Sequence, residues 1–209
     1  MIAVKVNQLS KKFKEVDALK AVSFDFEIGK IYGLVGRNGS GKSVLLKCIA
    51  GLIVSTSGFV EVFGKRIGRD LDFAPSTGIA IEQPGLLLRK NAFENLRTLA
   101  ALNDKPSIVE INDLITRVGL DSNVKRAVGK YSMGMKQRLS IAMALLGNPD
   151  LLLLDEPMSN LDKLGADEMR LLFRKLADGG KTILIATHVQ DDVTGLCDDV
   201  LHLESGTVV

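Results

Sequence analysis

The chain has 209 residues, of which 46% are hydrophobic: room for one large α/β domain, or one domain with a small lobe, around a sizeable core. With 27 basic against 25 acidic residues and no basic arm or tail, there is no electrostatic case for binding nucleic acid. The two cysteines lack metal or redox spacing, Met1–Lys5 carries no signal-peptide pattern, and no apolar run reaches the ~20 residues of a bilayer span, so the expected chain is soluble and cytoplasmic.

The amino-terminal part reads as half-buried, antiparallel-type strands. Ile2, Val4 and Val6 alternate with Lys5 and Asn7, and Val22, Phe24, Phe26 and Ile28 alternate with Ser23, Asp25 and Glu27. Between them Lys11-Lys12-Phe13-Lys14, the densest basic cluster, is expected to be a solvated turn. A short apolar run, Ile31–Val35, then leads into Gly36-Arg37-Asn38-Gly39-Ser40-Gly41-Lys42-Ser43 and an apolar helix start, Val44–Ala50. Strand, glycine-rich turn and helix is the context of a phosphate-binding loop. The glycines let the backbone bring its N–H groups to an anion, and the helix start adds its positive dipole end. Lys42 can then reach the β- and γ-phosphates, and the Ser43 hydroxyl can ligate Mg²⁺. Cys48, in that helix, is expected to be a small core residue.

Ser57–Gly64 looks like a further strand between turns. Ile79–Ile81, Leu151–Leu154 and Ile183–Ala186 are short continuous apolar runs, the pattern of strands buried on both faces of a parallel sheet. Asn91 to Leu146 turns helical. Asn91 with Glu94 is a start signal, Ile108, Ile111, Leu114, Ile115 and Val118 keep helical spacing before a stop at Gly119, and Leu139, Ala142, Met143 and Leu146 form a third apolar face.

Ligands of open α/β sheets bind beyond the carboxyl ends of the strands, so the residues ending each run carry the chemistry. Asp155, after Leu151–Leu154, can help hold Mg²⁺ through water, and Glu156 is placed to orient or deprotonate an attacking water. His188 ends the run Thr182–Thr187; it is either a structural histidine or a contact to the γ-phosphate or that water. Gln83 follows Gly78–Glu82 and is either an ordinary turn residue or a ligand to Mg²⁺ or water.

Tyr131-Ser132-Met133-Gly134-Met135-Lys136-Gln137-Arg138-Leu139-Ser140, taken with these motifs, resembles the ATP-binding subunit of ABC transporters over nearly the whole chain. In that resemblance Gly36–Ser43, running into Val44, is the phosphate loop, Gln83 the glutamine loop, and Tyr131–Met135 the signature. Leu151–Glu156 is similar to the Walker B strand, Ser159–Asp162 to the D-loop with Asp162 at the nucleotide, and His188 to the switch histidine; Phe13 resembles the aromatic that stacks on adenine. The signature departs from Leu-Ser-Gly-Gly-Gln at Met133 and Met135, and Met135 lacks the hydrogen bonds of a glutamine. Ser132 can still cap the helix start and, with the Gly134 N–H, face an anion.

The resemblance implies an α/β P-loop cassette over residues 1–209, with a mixed or parallel core sheet flanked by helices, an antiparallel β subdomain and a helical subdomain at about 91–146. It implies a Mg²⁺-dependent ATPase in which Ser132 and Gly134 act on ATP held by a second copy or a related subunit. It also implies a permease of the cell membrane, on whose inner face the chain sits, docked near Glu82–Leu88; Leu86–Leu88 read equally well as core. Tyr131–Leu139 is further similar to exporters of the bacitracin-resistance and lantibiotic-immunity type. The rival expectation is a soluble ABC ATPase working on a macromolecular assembly.

Overall fold

The computed structural model describes residues 1–82, 85–101 and 107–209, so Gln83 lies outside the described residues. The chain opens with β1 (Ile2–Phe13), β2 (Val16–Glu27), β3 (Ile31–Val35) and α1 (Lys42–Ala50), followed by β4 (Ser57–Val62), β5 (Lys65–Arg66) and β6 (Thr77–Ala80). Next come the helices α2 (Ala92–Ala100), α3 (Ile108–Arg117) and α4 (Met133–Leu145), with a 3₁₀ turn at Val128–Lys130 before α4. The chain then alternates through β7 (Leu151–Asp155), α5 (Lys163–Asp178), β8 (Thr182–Thr187) and α6 (Gln190–Leu196), and closes with the hairpin β9 (Asp199–Glu204) and β10 (Thr207–Val208).

Two sheets form. The four-stranded sheet, in order β2-β1-β4-β5, is antiparallel; the six-stranded sheet, β10-β9-β3-β8-β7-β6, is parallel apart from the β9–β10 hairpin. Successive residues of a strand face opposite sides, so the continuous apolar runs feed two cores at once. Leu152, Leu154, Ile183 and Ile185 join the core beneath α4 and α5, while Leu151, Leu153, Leu184 and Ala186 join the one shared with α1, β1 and β2. All eight are fully buried. Each such leucine or isoleucine contributes about 1.5–3 kcal/mol from burial.

The amino-terminal alternation is confirmed with a shift. A bulge between Ile2 and Val4 leaves Ala3 and Val4 both buried and Ile2 exposed, and Ile28 lies beyond β2 in the open. The basic cluster is mostly not a turn: Lys11, Lys12 and Phe13 close β1, and only Lys14, at φ +49°, enters the hairpin turn, because pairing with β2 runs through Phe13 and Val16. Asn91 and Glu94 make the expected reciprocal cap, each backbone N–H donating to the other side chain at 2.9 Å. Gly119 ends α3 at φ +74°.

Helix α4 differs from its expected one-sided face. Leu139 and Ala142 are buried, but so are Ser140, Ile141, Ala144 and Leu145, while Met143 and Leu146 are only partly covered. The helix is wedged between β6, α2 and α3, which cover it on several sides. Helix α5 is amphipathic, with Ala166, Met169, Phe173 and Leu176 inward. Burial pushes the Cys48 thiol up to about 11, consistent with an inert core cysteine.

The tightest approach in this frame is α4 on β6: a Cβ on Gly78 would overlap the Ala144 carbonyl oxygen. Gly78→Ala must therefore push a helix backbone off a strand. It is expected to cost about 3 kcal/mol, the upper part of the overpacking range, in urea denaturation; an unchanged midpoint would show that the helix can retreat freely.

Candidate functional site: a phosphate cradle beside a Glu–His pair

The parallel register determines where the chemistry gathers. Val35 pairs with Thr187, and Asp155 with Ala186, so β3, β8 and β7 end level with one another. Gly36, His188 and Glu156, each one residue past these pairs or their neighbours, leave the sheet at the same edge. The cleft there has a volume of about 760 Å³ and is lined by Asn38 to Val44, Asp155 and Glu156, with Val16–Ala18 on another wall.

The loop between β3 and α1 is shaped as an anion cradle. Gly41 sits at φ +110° against the Ala18 carbonyl, where a Cβ would come within 2.6 Å, and a Cβ on Gly36 would overlap the Leu203 carbonyl oxygen. Gly41 is the N-cap of α1; among the described residues no side chain caps that helix and no acidic residue stands in its first turn, so its leading N–H groups and positive dipole end are left for a ligand. Lys42 is nearly buried and its ammonium donates to the carbonyls of Gly36 (2.6 Å) and Arg37 (3.3 Å), holding a cation inside the loop. The Ser40 hydroxyl oxygen is buried with no hydrogen-bond partner among the described residues. An uncapped helix start, an enclosed cation and an orphaned hydroxyl fit a polyphosphate. Arg37 and Asn38 are exposed at the loop's outer bend.

On the opposite strand, Glu156 adopts φ +49°, anchored by its N–H donating to the Ala186 carbonyl at 2.9 Å. Its Oε1 lies 2.7 Å from His188 Nδ1; with Glu156 ionised the carboxylate accepts and Nδ1 donates. Ser43 and Asp155 face the same cleft. Among the described residues no group of three or more His, Cys, Asp or Glu could hold a metal ion. A hard cation such as Mg²⁺ is commonly held by one or two protein oxygens together with phosphate and water, which is what Ser43 and Asp155 offer.

Other expected site residues lie elsewhere. Ser132 caps α4, its hydroxyl accepting from Met135 N–H at 3.2 Å, and Gly134 packs beside the Asn160 carbonyl, where a Cβ would approach to 2.9 Å. Neither lines the cleft, nor does Asp162, whose Oδ1 caps α5 through Gly165 N–H at 2.9 Å. Phe13 also stands off the lining and carries the Lys11 ammonium 4.7 Å from its ring centre; Val16, its cross-strand partner, lines the cleft instead. Gln137 and Asn160 also line it, and Gln137 approaches the Glu156 carbonyl at 3.4 Å. Both stood inside recognised motifs, but nothing in their spacing assigned them to this wall. At the signature, Arg126 donates to the Met135 sulfur at 2.9 Å. Leu86 is partly buried, whereas Leu87 and Leu88 are exposed.

The family model described as "ABC transporter" matches residues 19–159. The uncharacterized ABC transporter ATP-binding protein YybJ of Bacillus subtilis (strain 168) is 41% identical over 97% of this chain and 93% of its own length. The bacitracin transport ATP-binding protein BcrA of Bacillus licheniformis is 36% identical over 99% of this chain and 68% of its own. Among solved structures, a dimeric post-hydrolysis ATP-binding cassette bound to ADP and Pi superposes with TM-score 0.87 at 26% identity, over 98% of this chain and 96% of that one.

The orphaned hydroxyl permits a test of the cradle that needs no ligand. Ser40→Ala removes a buried group that has lost its hydration, so the nucleotide-free chain is expected to gain about 1 kcal/mol. A lower thermal midpoint would mean that the hydroxyl is satisfied.

Proposed function

The chain belongs to the ABC transporter ATP-binding family, and on that premise we propose that it powers a membrane permease carried on another polypeptide. The direction we assign is export, on the resemblance of Tyr131–Leu139 to exporters of the bacitracin-resistance and lantibiotic-immunity type; BcrA, 36% identical over 99% of this chain, is named for bacitracin transport. No helix among the described residues is long and apolar enough to cross a membrane, and we give the translocation path to the partner. In this reading residues 1–209 form one cassette with a helical subdomain at about 91–146, working at the inner face of the cell membrane. The exposed Leu87 then belongs to the docking surface, whereas Leu86 and Leu88 line the cleft.

The observation that carries hydrolysis is the Glu156–His188 contact of 2.7 Å at the edge where the phosphate loop opens. In our assignment Glu156 takes the proton of the attacking water, and His188, through Nδ1, holds its carboxylate in place. Lys42 leaves its two loop carbonyls to meet the β- and γ-phosphates, while backbone N–H groups of Gly39 to Val44 receive the rest. Ser43 and Asp155, with Gln83, are the residues we assign to Mg²⁺, which when bound would neutralise charge on the phosphates. The adenine is placed against the β1–β2 hairpin, at Phe13 and Val16.

Ser132 and Gly134 do not line this cleft, although Met133 between them and Lys136 do; from the family resemblance we assign them, with Asp162, to the partner's nucleotide in a head-to-tail pairing. The capped start of α4 offers free N–H groups suited to a γ-phosphate, and hydrolysis would remove what bridges the halves.

Glu156→Gln is expected to bind ATP normally, lose about 10²–10⁴-fold in turnover and accumulate as a dimer in light scattering. Undiminished turnover would remove Glu156 from the role of base. Affinity purification of that variant with ATP from membranes should bring down a multi-span protein in fixed ratio. Cosedimentation with ribosomes, and no membrane partner, would favour the macromolecular-assembly reading.

A further inference from the structure

Behind the Glu156–His188 contact lies a buried polar chain that none of the catalytic assignments uses. Asp192, on α6, is 2% exposed, a costly place for a carboxylate unless it is paired. Its Oδ1 receives Arg170 of α5 twice, from Nη2 at 2.5 Å and Nε at 3.1 Å. Its Oδ2 receives the Thr187 hydroxyl at 3.1 Å, and that hydroxyl oxygen in turn accepts the Val189 N–H at 3.1 Å. Thr187 and Val189 are the two chain neighbours of His188. Four residues later on α5, Arg174 reaches the far end of α6, pairing with Asp198 at 2.9 Å and with the Leu196 carbonyl. Asp198 also accepts the Ile31 N–H at 2.8 Å, fixing that end to the start of β3.

We propose that Asp192 is a positioning residue for hydrolysis: neutralised by Arg170 and acting through the Thr187 hydroxyl, it sets the backbone on both sides of His188 so that Nδ1 meets Glu156. The imidazole itself is largely exposed, with 58% of its side chain open, and among the described residues its recorded polar contact is Glu156. Its direction is therefore governed from the backbone beneath it. The hydroxyl has one hydrogen and spends it on Asp192, which leaves its lone pairs for Val189; the polarity of the chain thus depends on an acceptor at position 192. Asn at 192 could keep an oxygen toward Arg170 but would turn an N–H donor on the hydroxyl; the hydroxyl's second lone pair can accept that donor, so the link reverses direction and the hydroxyl hydrogen loses its acceptor. The chain runs strand, loop and helix, so losing one link frees the segment that carries the histidine.

This inference rests on the assignment of Glu156 and His188 to hydrolysis, and the test separates the two. The chain has two histidines, and His202, exposed on β9, serves as the internal reference in ¹⁵N imidazole spectra of the intact protein. Asp192→Asn and Thr187→Val are expected to abolish the Nδ1–H preference of His188 while His202 keeps its shifts. Turnover should fall by up to about 10²-fold, the scale of a misplaced catalytic group, with KM for ATP changed little. Thr187→Ser, which keeps the hydroxyl, should restore both readouts; a packing role alone would lower the thermal midpoint without moving the His188 shifts. If Asp192→Asn does not fold, the near-isosteric Thr187→Val carries the test. Wild-type His188 shifts in either folded variant overturn the proposal, whatever turnover does. Altered His188 shifts in Asp192→Asn or Thr187→Val, with full turnover both there and in His188→Ala, would uphold the positioning and refute the catalytic assignment of His188.

Discussion

Level strand ends are the constraint on which this molecule depends. Val35, Asp155 and Thr187 stop β3, β7 and β8 at one edge because parallel pairing holds Val35 to Thr187 and Asp155 to Ala186. That register is held in turn by burial on two faces. A slip of one residue would carry Leu152, Leu154, Ile183 and Ile185 out of one core and into the other. The same hydrophobic alternation that stabilises the sheet therefore sets the spacing between a phosphate cradle and a general-base candidate. A site built on strand ends inherits the rigidity of the core beneath it.

Much of this was legible because each local signal had a single physical solution. A glycine loop between an apolar strand and a helix can be read from Gly36 to Ser43, and the reciprocal cap at Asn91 and Glu94 from two residues. Legibility failed where the outcome depended on neighbours in space. No spacing rule says that α4 is covered on several sides, because the cover comes from β6, α2 and α3. Phe13 and Val16 are cross-strand partners at the β1–β2 hairpin, yet Val16 lines the cleft and Phe13 does not, a difference that composition does not encode. The Asp192 chain was silent for a similar reason: Arg170, Asp192 and Thr187 belong to three elements that meet only after folding.

The cradle and the pair opposite it solve opposite electrostatic problems. Around Lys42 the loop has collected positive character: an ammonium held by two carbonyls and a helix start without a side-chain cap. Such an arrangement is poorly compensated alone and improves when an anion arrives, so part of the ligand's binding energy offsets a preorganised deficit. Glu156 brings negative charge to the same cleft, and His188 Nδ1–H holds that carboxylate at an angle set by the chain behind it. A polyphosphate and a carboxylate repel each other. In the proposed assignment, holding Glu156 fixed while the phosphates are bound needs a donor that the ligand does not supply, and the imidazole would be that donor.

The backbone at Glu156 shows how firmly this angle is imposed. A glutamate at φ +49° costs about 1–2 kcal/mol relative to the right-handed or extended regions. Such a conformation persists only where the surroundings over-determine it. Here its N–H is fixed to Ala186 on β8, and its side chain to His188 two residues further along that same path. Both restraints thus come from one strand and the turn that follows it. The brace of α5 on α6 acts at the end of that turn, and its two arginines, Arg170 and Arg174, lie one helical turn apart on the same face. Strain at the carboxylate and rigidity behind the histidine are therefore two ends of a single mechanical element, running from the buried Asp192 through β8 to the strained end of β7.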